Sequence, residues 1–130
     1  MSYKIKFINQ LMLRGNKWKS EKMLLNTLKK VQKLKKFQIN LILKFVVINN
    51  SPYFNIKQVQ KKRKKIIEFP FLLNNGLRIS YGIKNIVNNK KKLHIDLLNS
   101  LNNKSVSVDL KKKIHKDSFI KKKLANYRWF

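Results

Sequence analysis

Apolar residues recur every three or four positions along most of the chain, which is the spacing of amphipathic helices. The first stripe covers residues 3–14 and consists of Ile5, Ile8, Leu11 and Met12. Gly15 follows it directly, where a helix C-cap favours glycine. A second stripe covers residues 19–35 and consists of Leu24, Leu28 and Val31, with lysines on the opposite face. Two helices are therefore predicted at the start of the chain.

The next segment, INLILKFVVINN, is a nearly continuous apolar run, and its length would also suit a buried strand. Its apolar residues nevertheless fall at helical positions: Ile39, Ile42, Leu43, Val46 and Val47. We interpret the segment as a helix that ends before Pro52.

Two short runs rich in strand-forming residues come next, FNIKQV and IIEFPF, joined by the basic connector QKKRKK. They predict a β-hairpin over about residues 53–71. The connector has no Gly or Asn for a tight primed turn, so a longer loop is expected. Pro70 suits an edge position, because it cannot donate a backbone hydrogen bond.

Helical spacing returns after the hairpin. It predicts a helix over residues 75–88, a short helix through Leu93, Leu97, Leu98 and Leu101, and a last helix through Leu110, Ile114, Ile120 and Leu124. Asp109 is a candidate N-cap for the last helix. The predicted fold is mainly α, a bundle of about six helices with one protruding basic β-hairpin, in a single domain spanning residues 1–130.

The charge of the chain restricts its function. Its 130 residues carry 32 Lys and Arg against 5 Asp and Glu, a net charge of +27. Self-repulsion of this size destabilises a compact state, so a bound polyanion is expected. Nucleic acid is the first candidate, and an anionic membrane surface or an acidic protein comes after it. No apolar run reaches the roughly 18 residues that a membrane span needs.

Catalytic chemistry is poorly supported. The chain has no cysteine, and its five carboxylates fall on different predicted elements. His94 and Asp96 are two residues apart, as are His115 and Asp117, so neither pair shares a helix face. No Gly-rich phosphate loop or metal-ligand spacing is present. We predict a protein that is not an enzyme and has no cofactor or metal.

Residue usage indicates an AT-rich coding sequence, because Lys, Asn, Ile, Leu and Phe are abundant while Ala occurs once and Gly three times. An organelle genome is the favoured source, and an AT-rich nuclear or bacterial genome is the alternative. The N-terminal residues show neither a secretory signal nor a transit pattern. A protein acting in an organelle would then be made there.

Three stretches carry a more specific pattern of residues. In the first helices it consists of Lys6, Phe7, Ile8, Asn9, Leu11, Met12, Gly15, Lys17 and Glu21. In the hairpin it consists of Pro52, Ile56, Lys57 and Pro70, and in the last stretch of His115, Ala125, Tyr127, Arg128 and Trp129. These stretches resemble the small-subunit ribosomal protein seven family, in its mitochondrial version. The sequence departs from the family in lacking a basic N-terminal arm, hairpin-tip glycines and a C-terminal tail.

The resemblance implies a structural constituent of a mitochondrial ribosome that binds the 3′ major (head) domain of small-subunit rRNA. It also implies a role in head assembly, a hairpin near the mRNA exit and the E-site tRNA, and neighbouring head proteins as partners. No membrane partner is expected. The alternatives from charge alone are an organellar DNA-compacting protein and an amphipathic protein on a membrane surface.

The candidate RNA-binding residues come from two arguments, the family resemblance and the positive charge of the chain. The resemblance places Arg14, Lys17, Lys57, Arg78 and Lys84 against rRNA. Lysine-rich runs without acidic neighbours can neutralise phosphates, which adds Lys61, Lys62, Arg63, Lys64, Lys65, Lys112, Lys113 and Lys122. The ending ANYRWF adds a guanidinium fork between two rings, Tyr127, Arg128 and Trp129. Whether Trp129 faces RNA or the core stays open.

Overall fold

The computed structural model describes residues 2–60, 63, 65–88 and 92–126. These residues form six α-helices and a two-stranded antiparallel hairpin, so the predicted fold class is confirmed. In chain order the elements are α1 (Tyr3–Leu11), α2 (Lys17–Lys35), α3 (Ile39–Asn50), β1 (Phe54–Gln60), β2 (Ile66–Leu72), α4 (Asn75–Val87), α5 (Leu93–Leu101), α6 (Val106–Ile120) and a short 3₁₀ helix (Lys122–Leu124).

Helix α3 lies at the centre of the core and packs against α1, α2, α4, α5 and α6. Its predicted stripe is almost entirely excluded from solvent, with exposed fractions of at most 1%: Ile42, Leu43, Val46 and Val47. The stripe of α2 is equally buried at Leu24, Leu28 and Val31. The helical interpretation of INLILKFVVINN is therefore confirmed, because the segment forms α3 and its buried residues follow the i, i+1, i+4, i+5 spacing of one helix face.

The hairpin packs against the last helical elements of the bundle. Its strands pair up to Gln60 opposite Ile66, so residues 61–65 connect them, which is the longer loop that the sequence predicts. Pro70 lies in a strand with one unpaired edge, as expected from its missing N–H. β1 contacts α6 and β2 contacts the 3₁₀ helix. A hairpin that would be only marginally stable alone is therefore stabilised by packing against the last part of the chain.

Helix α1 ends three residues earlier than its apolar stripe predicts. Its C-cap is the extended residue Met12, whose N–H bonds to the Ile8 carbonyl at 2.9 Å. Gly15 is not the cap but belongs to the turn that follows, where Arg14 and Gly15 both have left-handed backbones, with φ of 52° and 74°. The chain needs two such residues in succession to reverse direction into α2.

The predicted N-cap of the last helix is wrong. Ser105 caps α6, because its hydroxyl accepts a hydrogen bond from the Val108 N–H at 3.2 Å. Asp109 lies in the first turn instead, where its negative charge stabilises the positive end of the helix dipole.

The predicted buried face of the last helix is also wrong. Leu110, Ile120 and Leu124 are exposed by 38%, 67% and 38%, whereas Ser107 and Ser118 are buried. The helix ends at Ile120, and Leu124 belongs to the 3₁₀ helix. The helix is turned this way because small serines let it approach its neighbours closely, as shown by the Ser107 hydroxyl, 3.3 Å from the Asn85 carbonyl oxygen of α4.

Gly82 allows α4 to pack directly on the end of α3. A Cβ atom at this position would lie 2.9 Å from Ser51 Oγ and 3.2 Å from the Ser51 backbone. Gly82→Ala should therefore lower the free energy of unfolding by about 1 to 3 kcal/mol, as overpacking does. Urea unfolding measures this change.

Gly76→Ala is the matched control in the same helix. Its Cβ would meet only Asn74 Oδ1, at an ordinary 3.8 Å. This substitution should raise stability by about 0.4 to 1 kcal/mol by restricting the unfolded chain. Equal effects of the two substitutions would contradict the close packing at Gly82.

Candidate nucleic-acid interface

A group of four side chains meets where the hairpin joins the bundle: Tyr53, Arg78, Lys111 and His115, called here the Tyr53 cluster. Tyr53 directly precedes β1, Arg78 lies in the first turns of α4, and Lys111 and His115 lie one turn apart on α6. The Arg78 guanidinium carbon is 3.9 Å from the centroid of the Tyr53 ring, and the Lys111 ammonium is 5.9 Å from it. Both cations thus lie within cation–π distance of one aromatic ring.

His115 fixes the backbone at the start of the hairpin. Its Nε2 accepts a hydrogen bond from the Tyr53 N–H at 2.9 Å, which requires the neutral imidazole. Its ring also lies 5.8 Å from the Phe54 ring, edge to face. Burial lowers the pKa of His115 from its ordinary 6.5, and the positive charges of Lys111 and Arg78 lower it further.

Lys111 is directed toward the bundle rather than into solvent. Its ammonium donates a hydrogen bond to the Asn49 carbonyl oxygen at 3.1 Å. Burial lowers the pKa of Lys111, Tyr53 acts in the opposite direction, and the Arg78 charge lowers the pKa further.

The cluster holds two cations but no carboxylate within the described part of the chain. None of the ion pairs found there involves Arg78 or Lys111. Arg78 also keeps its buried Nε without a hydrogen-bond partner in those residues, and its Nη1 reaches only Asn75 Oδ1 at 3.4 Å. An arginine fork held in place by a ring and lacking a counter-anion is suited to bind a phosphate.

Three of the described carboxylates form ion pairs outside this cluster. Glu21 pairs with Lys4 at 3.2 Å, Glu68 pairs with Lys121, and Asp109 lies 4.0 Å from Lys112. These three pairs engage three lysines in a chain with 32 Lys and Arg. Most of the positive charge is therefore available to an external polyanion.

The predicted RNA-binding residues occupy several exposed positions rather than one patch. Arg14 and Lys17 lie at the α1–α2 turn, Lys57 on β1, Arg63 and Lys65 in the hairpin connector, Lys84 on α4, Lys112 and Lys113 on α6, and Lys122 in the 3₁₀ helix. Lys122 Nζ lies 4.7 Å from the Phe119 ring. The remaining predicted residues lie outside the described part of the chain: Lys61, Lys62, Lys64, Tyr127, Arg128 and Trp129.

Of the predicted residues, the structure brings only Arg78 into the Tyr53 cluster. Sequence reasoning missed Tyr53 and Lys111 as partners of Arg78, because the three residues are far apart along the chain. A signal did exist for Lys111, which belongs to the lysine run 111–113, but the run alone does not show which lysine turns inward.

Within the described residues, no three His, Cys, Asp or Glu side chains group as a metal site. No helix in this part of the chain is long and apolar enough to cross a membrane.

Comparison with known proteins agrees with this basic, helical architecture. Residues 3–119 match the family model described as Ribosomal protein S7p/S5e. The chain belongs to this family. It is also similar to the small ribosomal subunit protein uS7m of Reclinomonas americana, with 24% identity over 134 residues that cover 96% of this chain and 84% of the relative.

Family membership confirms the resemblance seen in the sequence, and the mitochondrial relative agrees with the mitochondrial version of it. The S7p/S5e family is structural rather than enzymatic. Membership supports a structural role in the ribosome, with small-subunit rRNA and other ribosomal proteins as partners.

Protonation of His115 should weaken the attachment of the hairpin. The unfolded chain takes up this proton near pH 6.5, whereas the folded chain takes it up only at lower pH because its pKa is lowered. Between these two pKa values the unfolded state binds more protons than the folded state. The contribution of His115 to the free energy of unfolding is therefore complete above pH 6.5 and is lost as the pH falls through the lowered pKa. His115→Gln should remove this part of the pH dependence.

The measurement is the urea midpoint of both proteins at about pH 7.5 and about pH 5.5, values chosen to bracket the ordinary histidine pKa. The wild type should lose more stability than His115→Gln over this interval. Parallel losses in the two proteins would show that Nε2 does not hold the Tyr53 backbone.

Proposed function

We propose that the chain is a structural protein of the small subunit of a mitochondrial ribosome and acts as one rRNA-binding domain. In this role it binds the 3′ major (head) domain of small-subunit rRNA and supports head assembly. Family membership, the similarity to a mitochondrial relative and the net charge of +27 support the proposal. The AT-rich residue usage favours a gene carried by the organelle.

The same proposal includes the partners nearest the hairpin. The hairpin projects from the bundle and carries Arg63 and Lys65 in its connector, both exposed. A basic projection of this kind suits a position among RNA strands, and we assign it to the region of the mRNA exit and the E-site tRNA. Neighbouring head proteins complete the partner set.

The observation that carries the proposal is the Arg78 fork on Tyr53, which pairs with no carboxylate in the described part of the chain. A guanidinium stacked 3.9 Å from a ring centroid loses little further freedom when it binds a phosphate, so its contact has a defined position. Exposed lysines such as Lys84 and Lys113 add affinity through counterion release, without reading sequence. Binding therefore combines charge neutralisation with shape fit and involves no turnover.

The residues outside the described part of the chain belong to the same proposal. Lys61, Lys62 and Lys64 extend the charge of the connector, and the ending Tyr127, Arg128 and Trp129 offers a second arginine fork with two rings. Arginine and aromatic side chains are the groups that bind phosphates bidentately and stack on unpaired bases.

Sedimentation tests the cellular role. The tagged protein should co-sediment with small ribosomal subunits in a gradient of mitochondrial lysate. Co-sedimentation with mitochondrial DNA would favour the DNA-compacting alternative. Membrane association that persists in high salt, where electrostatic attraction is screened, would favour the membrane-surface alternative. Either result without a small-subunit fraction contradicts the proposal.

Substitution of Arg78 tests the contact itself. Arg78→Ala should weaken binding to a fragment of the rRNA head domain and reduce the slope of log K against log salt by about 1, the value for one lost phosphate contact. Arg78→Lys should keep the slope, because the charge remains, but lower the affinity, because the planar fork is lost.

Lys33→Ala is the matched control, since Lys33 is an exposed cation of α2 outside the predicted set. Its effect should be smaller than that of Arg78→Ala at equal salt. If both alanine variants lose affinity equally, Arg78 is only one of many cations and the positioned fork has no role.

A further inference from the structure

An apolar groove lies between the base of the hairpin and the end of α6. Its volume is about 440 Å³, within the roughly 300 to 1,000 Å³ of small-molecule pockets. Phe54 and Leu72, which face each other across the two strands, form one wall. Phe119 of α6 forms the other. Leu72 and Phe119 are 75% and 69% exposed, so the groove is open.

A polar group is buried at the bottom of this groove. Ser118 is only 5% exposed, and its hydroxyl has no hydrogen-bond partner in the described residues. Leaving a buried hydroxyl unsatisfied is unfavourable, so natural structures rarely keep one without a role. The hydroxyl would be satisfied by a ligand that has both an apolar face and a polar edge.

The rim of the groove is positive. Lys122 lines it and holds its ammonium 4.7 Å from the Phe119 ring. The nearby carboxylate of Glu68 is already engaged at both oxygens, by Lys121 and by Gln58 Nε2 at 2.6 Å. A phosphate entering beside Lys122 would therefore meet an exposed cation that pairs with no carboxylate among the described residues, and a neutralised carboxylate.

We propose that this groove binds one unstacked nucleobase of single-stranded RNA. The base stacks on Phe119, its polar edge reaches the Ser118 hydroxyl, and the adjoining phosphate lies beside Lys122. Aromatic side chains take unstacked RNA bases in this way, and cations beside them hold the backbone. An apolar protein segment would fill the same walls and could satisfy Ser118 through its backbone, but it would leave Lys122 without an anion.

The inference deepens the proposed function, on which it rests for the presence of RNA, by adding a contact that depends on a base rather than on phosphates alone. The stacking ring and the buried hydroxyl belong to adjacent residues of α6 and line the same groove. The groove meets the Tyr53 cluster at His115 but offers a different group, since the cluster presents a guanidinium fork with Arg78 over the Tyr53 ring.

The test uses the full chain and two labelled probes of equal length, a single-stranded uridine decamer and an abasic decamer with the same phosphates. Wild-type protein should bind the uridine probe more tightly. Phe119→Ala should reduce uridine-probe affinity by about 5- to 150-fold, the loss expected for one stacked base, and leave abasic-probe affinity unchanged. Phe45→Ala, which removes a 48%-exposed ring from α3, is the matched control and should change neither affinity.

Ser118→Ala supplies a second, independent readout. It should weaken uridine-probe binding by about 2- to 10-fold, the range for one hydrogen bond. It should not lower the urea midpoint of the free protein, because the hydroxyl has no partner to lose in the described residues. A lowered midpoint would show that the serine is structural and would overturn its assignment.

Three results would overturn the base-binding groove. One is equal affinity of wild-type protein for the two probes. Another is an equal loss in Phe119→Ala and Phe45→Ala. The third is a loss of small-subunit association in Phe119→Ala with unchanged probe binding, which would assign the groove to a protein neighbour. If the wild type fails to co-sediment with small subunits but keeps its base preference, the proposed function fails and the groove stands.

Discussion

The whole structure depends on burying an apolar core in a chain that carries a net charge of +27 in 130 residues. Most lysines therefore have to face solvent, and each helix has to supply enough uncharged residues for its buried face; Lys111 of α6 and Asp96 of α5 are exceptions that lie partly or largely buried. α3 makes this possible, because it contains a single lysine, the exposed Lys44, and packs against the five other helices. The remaining repulsion destabilises the free protein, and a polyanion that binds only the folded chain stabilises it.

Most of the fold could be predicted because its helices repeat a local pattern. α2 and α3 each place large apolar residues on one face, and that face is buried. α6 could not be predicted in the same way, since its buried residues are Ser107, Val108 and Ser118, whereas Leu110, Phe119 and Ile120 are exposed. Whether small residues belong inside is decided by how closely the neighbouring elements approach, as at Ser107 and Asn85, and that distance is not encoded in local spacing.

The candidate interface could also be predicted only as far as it depends on local sequence. The exposed lysines were predictable, since a charged run without acidic neighbours has to face solvent or an anion. The Tyr53 cluster was not, because Arg78 and Lys111 reach the Tyr53 ring only after α4, α6 and the hairpin have packed. A resemblance to a family suggested Arg78 by its position, but the absence of a carboxylate around it in the described residues is a property of the packed structure.

The two candidate contacts share one joint, since His115 belongs to the Tyr53 cluster and also lines the groove. A two-stranded hairpin is only marginally stable alone, so its direction is set where it meets α6 and the 3₁₀ helix. The Tyr53 N–H bonded to His115 and the Glu68 carboxylate paired with Lys121 fasten both strands to that last part of the chain. In the proposed binding mode, a phosphate held by Arg78 and a base held by Phe119 would both act at this joint. RNA bound there would orient the basic connector of the hairpin, whereas lysines alone would supply attraction without direction.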